Sequence, residues 1–425
     1  MVIHVVQPGD SLYRIAQAYH APLQLLIQQN ELHEPYRLTP GQTIVVPQPV
    51  QVHTVRQGDT LSGIAAQHNT TVLKLLQNNP QLGGGDRIWP GQTLVISYGP
   101  KLGTFAVNGY AYPNIDQRVL RKTLPYLTYL SVFSYGFDSL GRILPQNAEA
   151  LTRLARQYGV LPLLVLTTLG EDGQFSGERA QQLLRDPVAR GALIENLAQT
   201  IAAQGFAGVD IDFEYIPSED AAAYADFVRA VRARLEPSGL TVMVALAPKT
   251  SADQPGLLYE SHDYAALGAA ANDVLLMTYE WGYALSEPMA VAPINKVEQV
   301  VRFAVSQIPP EKIFMGIPNY GYDWTLPYIK GQSRARSLGN VQAVEQAVQV
   351  GAPIRFDAEA QSPHYNYWRE RAEHEVWFED ARSIQAKLAL SGEYRLRGVS
   401  VWNIMRYFPQ LWLVLNQLYD IEKLA

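Results

Sequence analysis

In the first hundred residues, apolar positions fall into two short bursts of the same shape. Leu12, Ile15 and Ala16 share one helical face, and Leu61, Ile64 and Ala65 repeat it. A second short helix is predicted over Leu23 to Gln29 and again over Val72 to Gln77. Ile44-Val45-Val46 and Leu94-Val95-Ile96 read as closing strands. Each unit is therefore strand, helix, helix, strand. Asp10 and Asp59, just before the first helices, are the expected N-caps. Pro47-Gln48-Pro49 is a stiff connection between the units.

From about Lys101 the pattern changes to short β-rich apolar runs alternating with amphipathic helices, as in a parallel α/β fold. The expected strands are Phe105–Tyr110, Tyr129–Ser134, Leu163–Thr167, Gly208–Glu214, Val242–Ala247, Val274–Tyr279, Ile313–Pro318 and Gly398–Asn403. Eight such strands predict a (β/α)8 TIM barrel. Pro187 opens one predicted helix, with Leu193, Ile194, Leu197 and Ile201 inward. Ser218 is expected to cap another, ahead of Phe227, Val228, Val231 and Leu235. The gap from Gly321 to Arg397 holds strand-like aromatic pieces and reads as an inserted β-hairpin walling a cleft. The predicted domains are 1–48 and 51–98, two small α+β units, and 101–425, a barrel with its insertion at about 321–397.

Composition narrows the function classes. The 425 residues are 47% apolar and 17% charged, the balance of a globular chain. The net charge of −6 offers no basic footprint for nucleic acid. Residues 1–99 hold five Lys/Arg against five Asp/Glu, so that part must grip a partner by shape and hydrogen bonds. With no cysteine, disulfides and thiol chemistry are excluded. The start carries no recognisable signal peptide, and no apolar run approaches the ~18 residues of a membrane span. The eight His are scattered, so no metal site and no cofactor is expected.

The two N-terminal units are an internal repeat. His4 to Leu12 returns as His53 to Leu61, Asn30 as Asn79, and Pro40-Gly41-Gln42-Thr43 as Pro90-Gly91-Gln92-Thr93. With Gly-Asp-Ser/Thr-Leu and Pro-Gly-Gln both present twice, the units resemble LysM modules, which bind N-acetylglucosamine in peptidoglycan or chitin. The resemblance implies ligand contacts from Asp10, Ser11, Leu12, Asn30 and Leu32 in the first unit. In the second it implies Asp59, Thr60, Leu61, Asn79, Pro80 and Leu82. Trp89 is read as structural.

The segment Gly208 to Tyr215 carries the candidate chemistry. Alternation along a strand puts Asp210, Asp212 and Glu214 on one face and Val209, Ile211 and Phe213 on the other. With the apolar set toward the helices, the carboxylates climb the barrel interior and Glu214 emerges at the C-terminal mouth. Stacked buried acids cost several kcal/mol each unless paired or protonated. Asp210 and Asp212 are expected to share a proton, and Glu214 beside Asp212 to stay protonated near neutrality, as a general acid requires.

This run resembles the glycoside hydrolase family 18 signature, Asp-x-x-Asp-x-Asp-x-Glu, with Ala207 at the first position. Met277-Thr278-Tyr279-Glu280 resembles the family's Met-x-Tyr-Asp, and Val401-Trp402-Asn403 its last strand. The resemblance implies that Glu214, Asp212, Asp210 and Tyr279 are catalytic. It places Trp402 under the cleaved sugar and Tyr110 at the end of the first strand. Asn319 and Tyr322, after the seventh strand, are further candidate contacts. The implied mechanism is substrate-assisted and retaining, the 2-acetamido group acting as nucleophile.

Taken whole, the chain resembles spore cortex-lytic N-acetylglucosaminidases. That resemblance implies a peptidoglycan substrate and a spore-coat, cortex or cell-wall location. A monomer is expected, with no nucleic acid or membrane partner. A chitinase and a non-catalytic wall-binding lectin are the alternatives.

Overall fold

The computed structural model describes residues 1–424. In the first module β1 (Val2–Val5) pairs antiparallel with β2 (Thr43–Val46), and in the second β3 (Gln51–Thr54) pairs with β4 (Thr93–Ser97). Two short helices pack between the strands of each pair, Leu12–Ala18 and Leu23–Gln29, then Leu61–Gln67 and Val72–Asn78. Asp10 and Asp59 are not the N-caps. Ser11 Oγ accepts from Arg14 N–H at 3.3 Å, and Thr60 Oγ1 from Gly63 N–H at 3.0 Å. The aspartates sit one residue earlier, within reach of their own turn. Asp10 accepts from Gln7 N–H and meets His4 Nε2 at 2.9 Å, and Asp59 repeats this with Arg56 and His53.

Eight parallel strands close the barrel: β5 (Gly103–Ala111), β6 (Tyr129–Tyr135), β7 (Leu161–Thr167), β8 (Gly208–Asp212), β9 (Thr241–Leu246), β10 (Asp273–Leu276), β11 (Ile313–Pro318) and the last before the C-terminal helix, Gly398–Trp402. That last strand pairs with both β11 and β5, which shuts the ring. Val209, Ile211 and Phe213 face the helices, and Phe213 stacks on Tyr224 and Phe227 at 5.8 and 5.7 Å. Inside the ring, Tyr110, Leu163, Val165, Met243, Leu275 and Phe314 fill the floor. The helix Pro187–Gln204 starts as expected, with Asp186 as its cap. Ser218 caps nothing: Ser218–Asp220 is a 3₁₀ turn, and the following helix Ala221–Leu235 has no side-chain cap.

The insertion is larger than a hairpin. Strands β12 (Gly321–Thr325), β13 (Arg336–Leu338), β14 (Arg355–Asp357), β15 (Ser362–Arg369) and β16 (Ala372–Trp377) form one antiparallel sheet in the order 13-12-16-15-14. The helix Asn340–Val350 covers it around Leu338, Tyr365, Tyr367 and Val376. The barrel strand Gly398–Trp402 is thus β17, and β18 (Tyr419–Ile421) lengthens the sheet beside β5.

Both modules are seated on the barrel. In the first, Thr39 Oγ1 donates to Ala352 O at 2.8 Å, Ile354 N–H to Pro40 O, and Thr43 exchanges hydrogen bonds with Gln410. Val45 joins the barrel's own apolar core. In the second, Gln77 Nε2 donates to Pro125 O, Tyr126 OH to Gln77 O, and Asn416 Nδ2 to Gln77 O and Asn78 Oδ1. Gln29 links the modules, donating to Asn78 O at 3.0 Å and accepting from Tyr98 OH at 2.9 Å. Pro47-Gln48-Pro49 therefore joins two fixed bodies.

Candidate active site

Strand β8 lifts its acids up the barrel axis. Asp210 is fully buried, and its Oδ2 accepts from Tyr110 OH at 2.5 Å and Ser131 Oγ at 3.0 Å. Burial raises its pKa to about 6, against the pull of those two donors. Asp212 is pushed well above the usual carboxylate range, first by burial, then by the charges of Glu214 and Asp210. Glu214, just past the strand end, is raised by burial. No Asp210–Asp212 hydrogen bond forms. Asp210 Oδ1 and Asp212 Oδ1 are each buried without a partner. The expected shared proton is therefore not seen between those two; the group that interacts most with Asp212 is Glu214 above it.

Sequence reasoning missed the support for this strand end. His262 is fully buried, and burial depresses its pKa to about 4, so the ring is neutral. Its Nδ1 accepts from Ala247 N–H at 2.8 Å, so Nε2–H donates to Phe213 O at 3.0 Å, next to Glu214. Tyr215 follows with φ +58° and Glu280 follows Tyr279 with φ +67°, both in the left-handed region that side chains avoid. Gly177 makes room for the first: a Cβ there would lie 2.1 Å from Tyr215 O. Two strained residues flanking one cleft mark a site where geometry outranks local comfort.

A cavity of about 320 Å³ opens over these acids. Asp212, Glu214, Tyr110, Tyr279 and Trp402 line it. So do Phe133, Thr168 and Phe175, which the sequence did not single out. Phe133 shares a strand face with Ser131, so the alternation that located Asp210 could have found it. Phe175 lies on an irregular loop that carries no such signal. Trp402 meets Phe133 edge-on at 4.9 Å and Tyr110 at 5.3 Å. Burial and the carboxylates of Asp212 and Glu214 keep the Tyr279 hydroxyl protonated.

A second hollow of about 450 Å³ lies across Trp402 and Glu280, toward the insertion. Glu280 accepts from Tyr320 OH and from Tyr322 OH at 3.1 Å, and burial still raises its pKa. Tyr322 is thus largely buried and engaged. Asn319 braces the floor: it is buried, and its Nδ2 donates to Asn403 O and Arg406 O at 2.9 Å, fixing the loop after Trp402. Both were expected to contact substrate; their polar side-chain atoms are occupied within the protein, although each residue forms part of the wall.

Comparison with known proteins fits this geometry. The profile of Glycosyl hydrolases family 18 matches residues 110–406. The chain belongs to glycosyl hydrolase family 18. It is a glycoside hydrolase, and the LysM domain profile matches residues 4–47 and 53–97. The Cortical fragment-lytic enzyme of Bacillus subtilis (strain 168) is 40% identical over 88% of this chain and 99% of its own length. The crystal structure of the Bacillus cereus spore cortex-lytic enzyme SleL superposes with a TM-score of 0.85 at 37% identity, covering 99% of this chain and 98% of that one. That of the Bacillus megaterium QM B1551 enzyme gives 0.84 at 35%, covering 100% and 99%. Membership of both families implies a glycan containing N-acetylglucosamine as partner.

Within the LysM modules the expected contacts divide in two. Asn30 Nδ2 donates to Leu26 O and Val45 O while its Oδ1 accepts from Val45 N–H. Asn79 does the same with Leu75 and Val95. Each Asn side chain thereby ties a helix end to the closing strand. Leu12, Leu61 and Pro80 are buried as well. These five side chains are buried within the modules, where they serve the fold. Ser11 and Thr60 are exposed; Asp10, Asp59, Leu32 and Leu82 are partly so. Trp89, expected to be structural, is 69% exposed.

Proposed function

We propose that this family 18 enzyme hydrolyses the β-1,4 bond at N-acetylglucosamine in spore cortex peptidoglycan, with retention and with the substrate as its own nucleophile. The observation that carries the chemistry is the column Asp210–Asp212–Glu214 under one small aromatic cavity. Glu214 is the only carboxyl group of that column at the mouth, and burial raises its pKa, the direction a general acid needs. The cavity's remaining carboxylate, Glu280, is engaged by the hydroxyls of Tyr320 and Tyr322, so we give the nucleophile's part to the acetamido oxygen. Glu214 protonates the leaving oxygen as the acetamido oxygen attacks the anomeric carbon. Asp212, whose Oδ1 is unpartnered, turns toward the acetamido N–H. Tyr279 donates to the acetamido oxygen. Glu214, now a carboxylate, takes a proton from water as the water oxygen bonds to the anomeric carbon and the bond from that carbon to the acetamido oxygen breaks.

The cortex is favoured as substrate by relatives at 35–40% identity that span the chain and are cortex-lytic by name. Two LysM modules fused to the barrel suit an insoluble wall polymer, and location at the spore cortex or cell wall follows. Among the described residues no helix is long and apolar enough to cross a membrane.

Glu214→Gln is expected to lower kcat by at least 10³-fold on cortex fragments while leaving glycan binding intact; unchanged release of reducing ends would refute the mechanism. In Asp212→Asn the pair loses the member that holds its proton more tightly, leaving Glu214 raised by burial alone. The alkaline limb of kcat/KM should then move to lower pH, and a limb that stays put would separate the two acids. Mass spectrometry of cortex, vegetative wall and chitin digests names the bond and polymer.

A further inference from the structure

Trp89 is the largest exposed aromatic surface on the LysM modules and has no structural task that accounts for it. The equivalent residue of the first module, Thr39, shows what this position does when it is structural. Thr39 is buried against the insertion and donates to Ala352 O. Both residues hold the same turn, Thr39 N–H donating to Gln42 Oε1 and Trp89 N–H to Gln92 Oε1. The turn is preserved, but in the second module it carries an indole 69% exposed.

That indole borders a hollow of about 450 Å³ between the two modules. Across it lies the helix Leu23–Gln29 of the first module, presenting Gln24 and Gln28; Gln92 and Thr93 complete the polar side. Among the described residues, the side chains of Gln24, Gln28 and Thr93 make no hydrogen bond, and the Gln92 amide nitrogen is free. None of the lining residues is charged. The Gln29 bridge to Asn78 and Tyr98 holds the two walls at a fixed separation. None of the Gly-Asp-Ser/Thr-Leu residues borders this hollow.

From this we infer that the cleft between the modules is a separate glycan site, in which the Trp89 ring stacks on the apolar face of an N-acetylated sugar and the glutamine amides meet its hydroxyl and acetamido groups. A flat ring beside free amides, without charge, matches an uncharged polyhydroxylated chain better than a charged peptide or a nucleic acid. The polymer identity rests on the cortex reading above; the site does not.

The test uses the full chain with Glu214→Gln to stop turnover and 5-fluorotryptophan at all seven Trp positions. Chitotetraose is titrated and the ¹⁹F resonance of Trp89, assigned by its absence in Trp89→Phe, is followed. A saturable shift is expected, weakened at least threefold in the Gln24→Ala/Gln28→Ala double variant, whose changes lie on the other module. Trp89→Ala should bind purified sacculi five- to tenfold more weakly. A resonance that ignores chitotetraose, or one that moves with protein concentration alone and so reports contact between copies, overturns the inference. If the unsubstituted enzyme fails to cut cortex while the Trp89 resonance still moves, the cortex reading falls and this site stands.

Discussion

The two LysM modules are near copies in sequence and are used differently in the fold. The first offers its Pro40-Gly41-Gln42 turn to the insertion, and a Cβ on Gly41 would lie 1.8 Å from Ile354 O. The second docks through its helix Val72–Asn78 instead, and a Cβ on Gly91 would meet nothing within 4 Å. Internal architecture is shared down to single hydrogen bonds, while outward surfaces diverge. A repeat therefore reports what a module needs in order to fold, and the departures from it report what each copy touches.

The largest effects should fall where the copies agree. Asn30→Ala and Asn79→Ala each remove three buried side-chain hydrogen bonds, two of them to the closing strand, so each should cost about 3–5 kcal/mol, read as a lowered midpoint in chemical unfolding. Unequal losses would mean that the modules are not equivalent inside. Next come the glycines, where the copies should part. Gly41→Ala combines a left-handed backbone with a clash and should cost about 2–4 kcal/mol, while Gly91→Ala meets only the backbone penalty of about 1 kcal/mol. Limited proteolysis should free the first module in Gly41→Ala and neither module in Gly91→Ala. The smallest changes test the caps: Ser11→Ala and Thr60→Ala should each lose about 1 kcal/mol, whereas a cap at Asp10 or Asp59 would leave both unaffected.

Much of this was legible beforehand. Eight β-rich runs alternating with helices point to the barrel, because strands buried on both faces read as continuous apolar stretches. Alternation placed Asp210 and Asp212 inward and Phe213 outward. What escaped was whatever depends on contacts remote in sequence. His262 holds the carbonyl next to Glu214 from 49 residues away, and a lone His in a loop announces nothing. The LysM resemblance offers Asn30 as a ligand contact, and nothing local in the sequence shows that its side chain is tied to a strand 15 residues on. Asp10 looked like a cap because it precedes a helix, and only the turn geometry assigns the cap to Ser11. The insertion seemed a hairpin because β12 and β13 pair across a loop while β14 lies beyond a helix, an order that one-dimensional spacing does not display.

Val45 packs into the barrel's apolar core although it belongs to the first LysM module. A unit of under fifty residues has little interior of its own, and here it completes itself with a neighbour's. The boundary drawn by sequence families is thus not a boundary of stability. A gene cut after Ser97 would yield a barrel with newly bared apolar surface, prone to clump, and a lineage that discarded the modules would have to recolour that face with polar residues in the same evolutionary step.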